Sequence, residues 1–121
     1  MKKPSRNRTF LLIDHTETYH FAVWNYIKNF PMFYLISDQE IAPSYEGAMR
    51  NIGIPNRVQR QDAFLAYTEF LIKGLPIDYH LIIVSHNEEL LSKCQYIYNC
   101  LRHVLFLGSF RCISLTKECS V

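Results

Sequence analysis

The chain has 121 residues, 49% hydrophobic and 20% charged, enough for one core and too short for two, and this ordinary globular composition argues against disorder. A net charge of +2 is too small to imply a nucleic-acid partner by itself. The apolar run from Phe10 to Ile13 stops at Asp14, short of the roughly 7 residues of a signal core, and no stretch approaches the ~20 of a membrane helix. The expectation is a cytoplasmic protein with no membrane partner.

Residues 1–8 hold Lys2, Lys3, Arg6 and Arg8 ahead of the first acid, Asp14. They read as a basic N-terminal arm able to contact phosphates, and residues 9–121 as a single α/β domain. Apolar runs at 9–14, 32–37, 80–85 and 103–108 are short and continuous, as in strands buried on both faces of a parallel sheet. Residues 16–29 carry Tyr19, Val23, Tyr26 and Ile27 at helical spacing, with Pro31 marking the stop. Residues 43–52 read as a helix, with Pro43 near its first turn and Gly53 beyond its end. Residues 57–59 suggest a short strand. Residues 61–73 place Phe64, Leu65, Thr68, Leu71 and Ile72 on one side of a helix, and 88–101 form another behind Asn87, a good N-cap. Residues 111–116 read as an edge strand. This order predicts a Rossmann-like three-layer sandwich with a mainly parallel sheet of four to five strands.

In such a sheet, ligands bind outside the carboxyl ends of the strands. That places Asp14, Ser37, Asp38, Ser85, His86, Asn87, Glu88, Glu89, Gly108 and Ser109 at the candidate edge, with Asp62 at the start of a helix able to join them. Carboxylates gathered there hold a hard cation through oxygen, and the cation activates water against a phosphodiester. Asp, Ser and Asn are also the preferred helix caps at strand-to-helix junctions. Asp14 stands out, because an acid closing an apolar strand is costly unless capped, paired or metal-bound.

FLLIDHTE (10–17), RQDAFLAYTEFL (60–71) and DYHLIIVSHNEELLSKCQYIYNCLRHVLFLGS (78–109) resemble, in order and spacing, the acid-bearing segments of PIN-like nucleases of the NYN type. The resemblance implies a site that cleaves RNA or DNA using Mg²⁺ or Mn²⁺. Asp14, Asp62 and Glu89 would be metal ligands, Glu88 a further catalytic acid, and Ser37, Asp38, Ser85 and Asn87 would line the pocket. Asn87 and Glu89 stand where the family's turn carries aspartates, and Glu17 where it carries asparagine. Glu for Asp moves a carboxylate by about one methylene, which an octahedral Mg²⁺ site tolerates badly. The implied nuclease is therefore either active or catalytically degenerate.

Two other readings stand beside it. Asp14, Thr16 and Thr18 match the D-x-T-x-T loop of haloacid-dehalogenase-like phosphotransferases, but Gly108 to Phe110 falls where that family needs an acid. A non-enzymatic, pseudo-receiver-like regulatory module would have Ser85 at its phosphoacceptor position. It would bind a protein partner or form a homodimer through Tyr19, Trp24, Tyr34, Tyr45, Tyr67, Tyr96 and Tyr98. No G-x-G-x-x-G or G-x-x-x-x-G-K-[ST] loop occurs. Cys94, Cys100, Cys112 and Cys119 form no C-x-x-C pair and read as free, mostly buried thiols, Cys94 and Cys100 lying on a helix's apolar side. The five histidines are scattered along the chain.

Overall fold

Four parallel pairings build the molecule around a five-stranded sheet in the order β3-β2-β1-β4-β5. The computed structural model describes residues 6–40, 45, 47–103 and 107–116. In chain order these are β1 (Thr9–His15), α1 (His20–Ile27), β2 (Phe33–Ser37), β3 (Arg50–Gly53), α2 (Arg57–Gly74), β4 (His80–Ser85), α3 (Glu88–Leu101) and β5 (Ser109–Ser114), with short 3-10 turns at Arg6–Arg8 and Glu17–Tyr19. This is the expected Rossmann-like α/β sandwich, with helices on both faces of an all-parallel sheet.

The continuous apolar runs exist because alternate side chains enter opposite layers. Phe10, Leu12, Ile36, Leu81 and Ile83 pack against Phe64, Leu71 and Ile72 of α2 and Leu90, Leu91 and Cys94 of α3. Leu11, Ile13, Leu35, Ile82 and Val84 point the other way, to Val23 and Ile27 of α1 and to Tyr45. Full burial of one such side chain contributes about 1.5–3 kcal/mol. Fully buried Phe64 anchors α2, and Thr68 fits the same apolar face by donating its hydroxyl to the Phe64 carbonyl at 2.9 Å. Among the described residues no helix is long and apolar enough to cross a membrane.

Three local expectations need correction. Residues 50–52, expected to end a helix, belong to β3, which pairs with β2 from Tyr34↔Arg50 to Ser37↔Gly53; residues 45 and 47–49 of that expected helix are not helical either, and 43, 44 and 46 lie outside the described residues. Gly53 ends no helix. A Cβ there would meet the Gln39 carbonyl oxygen at 1.9 Å, so glycine permits the close approach of two backbones. Residues 57–59, expected as a strand, open α2, because the Asn56 side chain accepts from the Gln59 amide at 3.0 Å and caps the helix. Finally, residues 104–106 of the expected fourth strand lie outside the described residues, and the last strand starts at Ser109. Ser109 pairs with His80, the first residue of β4, so Gly108 and Ser109 sit at the amino edge of the sheet, not the carboxyl edge.

Candidate functional site

The carboxyl edge carries two polar clusters, separated by the same alternation that divides the core. Asp14 continues the Phe10–Leu12 side of β1 and Ser85 the Leu81–Ile83 side of β4, so both face the α2–α3 layer. His15 continues Leu11 and Ile13, Ser37 continues Leu35, and both face the α1 layer.

In the first cluster Ser85 Oγ donates to Asp14 Oδ2 at 2.8 Å and accepts the Asn87 amide at 2.9 Å. His86 Nδ1 lies 3.8 Å from the same carboxylate oxygen, too far for a hydrogen bond, and its ring stacks on Tyr19 with centroids 4.9 Å apart. Burial pushes the Asp14 carboxyl up from its ordinary value and the charge of Asp38 adds to this, while the Ser85 hydrogen bond, His86 and Arg60 pull it down. Arg60 is held in place by the Ile54 and Pro55 carbonyls, to which its Nη1 donates at 2.9 and 3.1 Å.

The expected ligand set does not gather around this acid. Because α2 starts four residues earlier than 61–73 implied, Asp62 falls in its second turn, is exposed, and is not among the charges that act on Asp14. Arg60 takes that place. Glu88 and Glu89 are exposed in the first turn of α3, where acids suit the helix dipole, and Glu89 pairs with Lys93 at 3.7 Å. Asn87 caps α3, its Oδ1 accepting from the Leu90 amide at 3.1 Å. Ser37 belongs to the other cluster. Asp38 Oδ1 is buried without a hydrogen-bond partner. Among the described residues no group of three or more His, Cys, Asp or Glu side chains could hold a metal ion, so the residues present do not fit a Mg²⁺ or Mn²⁺ centre built on Asp14.

The basic arm lies elsewhere. Lys2 and Lys3 are outside the described residues, and Arg6–Arg8 leads directly into the amino end of β1. The run of β1 from Thr9 separates that end from Asp14 by about 17 Å.

The second cluster was not foreseen: His15 and His20 are close in sequence but end a strand and begin a helix, and Tyr45 joins them from much further along the chain. Fully buried His15 shares a hydrogen bond through Nδ1 with Ser37 Oγ at 3.3 Å. Its Nε2 lies 3.3 Å from His20 Nδ1 and 3.1 Å from the Tyr45 hydroxyl, which also contacts His20 Nδ1. Burial, and then the neighbouring His20, lower the His15 pKa. Burial, and then the charge of Glu17, push the Tyr45 phenol up to about 12. The available signal was two consecutive polar residues ending β1, since they must face opposite layers.

The expected aromatic surface is also redrawn. Tyr45 is buried and Tyr19, Tyr34, Tyr67 and Tyr98 are partly buried, while Trp24 and Tyr96 are exposed; Phe21 is 81% exposed and Phe70 60%, neither of which was singled out. Of the described cysteines Cys94 is buried, Cys112 partly buried and Cys100 exposed, so Cys100 is not a packing residue. No family model, curated protein or solved structure matches the chain.

Proposed function

We propose that this chain is a PIN-like domain of the RNA- or DNA-acting kind whose cleavage site has degenerated, and that it binds single-stranded nucleic acid without cutting it. The order of the acid-bearing strand, the α2 segment and the β4–α3 turn supports the ancestry. The observation that carries the reading is the surroundings of Asp14. The acid is buried, Ser85 donates to it at 2.8 Å, and His86 and Arg60 lie where further carboxylates would be needed. The Arg60 guanidinium near the carboxylate compensates its charge and repels a divalent ion, and the His86 ring stands beside the same oxygen. They also leave donors at the edge for a phosphate backbone, with Arg57 exposed one helical turn before Arg60.

The test incubates end-labelled single-stranded RNA and DNA with the chain in Mn²⁺, wild type beside Asp14→Asn. A salt-sensitive mobility shift and intact strands are expected with both proteins. Cleavage by the wild type that Asp14→Asn lacks would establish an active nuclease instead.

A second reading is favoured by one observation, the outward side of α1, where Phe21 is 81% and Trp24 46% exposed. Large aromatics on a short helix suit a protein partner or a homodimer. Absence of any mobility shift at low salt, together with a concentration-dependent mass in light scattering that Phe21→Ser abolishes, would move the conclusion to a non-enzymatic interaction module.

A further inference from the structure

We propose that His15 Nε2, His20 Nδ1 and Tyr45 Oη form a site for one transition-metal dication of the Zn²⁺ class, on the sheet face opposite Asp14. The inference is independent of the nucleic-acid reading, since it uses none of the same side chains.

Three segments bring the donors together. β1 ends in His15, α1 begins with His20, and the β2–β3 connection delivers Tyr45. The two nitrogens are 3.3 Å apart, and the phenol oxygen is 3.1 Å from one of them and closer to the other. In a tetrahedral zinc site with bonds of roughly 2.0–2.1 Å, neighbouring ligand atoms stand roughly 3.3 Å apart. A triangle of this size therefore leaves a point at bonding distance from all three corners.

Proton counting gives the second argument. A neutral imidazole nitrogen either carries a hydrogen or accepts one. Across the His15–His20 contact only one nitrogen can be protonated, because two N–H groups would face each other. The Tyr45 hydroxyl adds one more hydrogen. Two protons then serve three contacts, and one contact lacks a hydrogen of its own. A single cation satisfies all three lone-pair donors at once.

The surroundings suit that role. His15 is oriented through its other ring nitrogen by Ser37 Oγ at 3.3 Å, and Ser37 in turn accepts the Gln39 amide at 3.3 Å. An outer partner of this kind fixes the ring of a metal-bound histidine and its loss weakens binding. His15 is fully buried at the end of β1, which holds its ring in place between Ser37 and the other two donors. Glu17 lies close enough for its charge to act on both His15 and Tyr45, and its carboxylate is held by Gln39 Nε2 at 2.8 Å. The fourth coordination position would be left to water, since among the described residues no third His, Cys, Asp or Glu side chain joins the two imidazoles. Imidazole donors favour Zn²⁺, Ni²⁺ or Cu²⁺ over the oxygen-seeking Mg²⁺.

Titration of the metal-free chain with Zn²⁺ by calorimetry, and with Co²⁺ by visible absorption, tests the site. One ion per chain is expected, with the absorption of a tetrahedral Co²⁺ centre. His20→Ala and Tyr45→Phe should each weaken Zn²⁺ binding at least ten-fold, and Ser37→Ala about ten-fold. The exposed His103→Ala, at the far end of α3, should bind as the wild type does. His20 and Tyr45 contribute from separate segments, so if one variant fails to fold by circular dichroism the other carries the comparison. The proposal is overturned if the wild type binds no stoichiometric Zn²⁺, or if folded His20→Ala or Tyr45→Phe keeps full affinity. Cleavage or non-cleavage of RNA leaves it untouched.

Discussion

Asp14 and His15 are neighbours in the chain, yet they enter clusters built on opposite principles. On the α2–α3 face one carboxylate accepts the Ser85 hydroxyl and has the Arg60 guanidinium and the His86 ring nearby, with the charge of Asp38 opposing them. On the α1 face three lone-pair donors, two imidazoles and a phenol, converge with fewer protons than contacts. An acid compensated by the protein has little to offer a cation from outside. A set of donors turned on one another is what the proposed cation would satisfy. Strand alternation alone decides which residue meets which surroundings.

The largest expected effect breaks the first cluster from the donor side. Ser85→Ala removes the hydroxyl from a buried carboxylate and leaves the Asn87 amide without its acceptor, and should cost about 1–3 kcal/mol in urea denaturation. Taking the charge away instead should do the reverse. Asp14→Asn keeps an oxygen for Ser85 and relieves the burial of an ionised group, so its stability at neutral pH should rise by about 1 kcal/mol, a few degrees in Tm. A third, smaller effect sharpens the contrast on the other face. Without metal, Tyr45→Phe should change stability by about 0.5 kcal/mol or less, because the two nitrogens can still share the ring hydrogen. A loss as large as that of Ser85→Ala would mean that the phenol hydroxyl, too, is an obligatory partner.

The sheet and its helices were largely legible because continuous apolar runs and helical periodicity state burial directly. β3 was not: Arg50-Asn51-Ile52-Gly53 has no strand-like composition and is a strand because β2 offers it a parallel edge. The start of α2 was misjudged although Asn56 is a preferred cap residue, and that error of four residues put Asp62 where Arg60 stands. Asp14 and Ser85 could be placed from strand ends alone. His20 and Tyr45 could not, since they reach His15 from a helix and from a connection far along the chain. The buried-thiol expectation held for Cys94 and failed for Cys100, whose position faces outward at the end of α3.

The smallest predicted effect is chemical and leaves the fold intact. Burial pushes the Cys94 thiol up to about 11 and Cys112 up to about 12, so at pH 8 both stay protonated and unreactive. Among the described cysteines, exposed Cys100 should therefore be modified first by a thiol reagent, with Cys94 and Cys112 following only on unfolding. Early labelling of Cys94, read by peptide mass, would show that the α2–α3 layer opens.

The compensation of Asp14 by its neighbours is tested most directly by titrating Mn²⁺ into wild type and Asp14→Asn side by side in a calorimeter. The same isotherm is expected for both, because the cation finds no foothold on this carboxylate. A saturable Mn²⁺ heat in the wild type that disappears in Asp14→Asn would contradict it and restore a working metal centre at the end of β1.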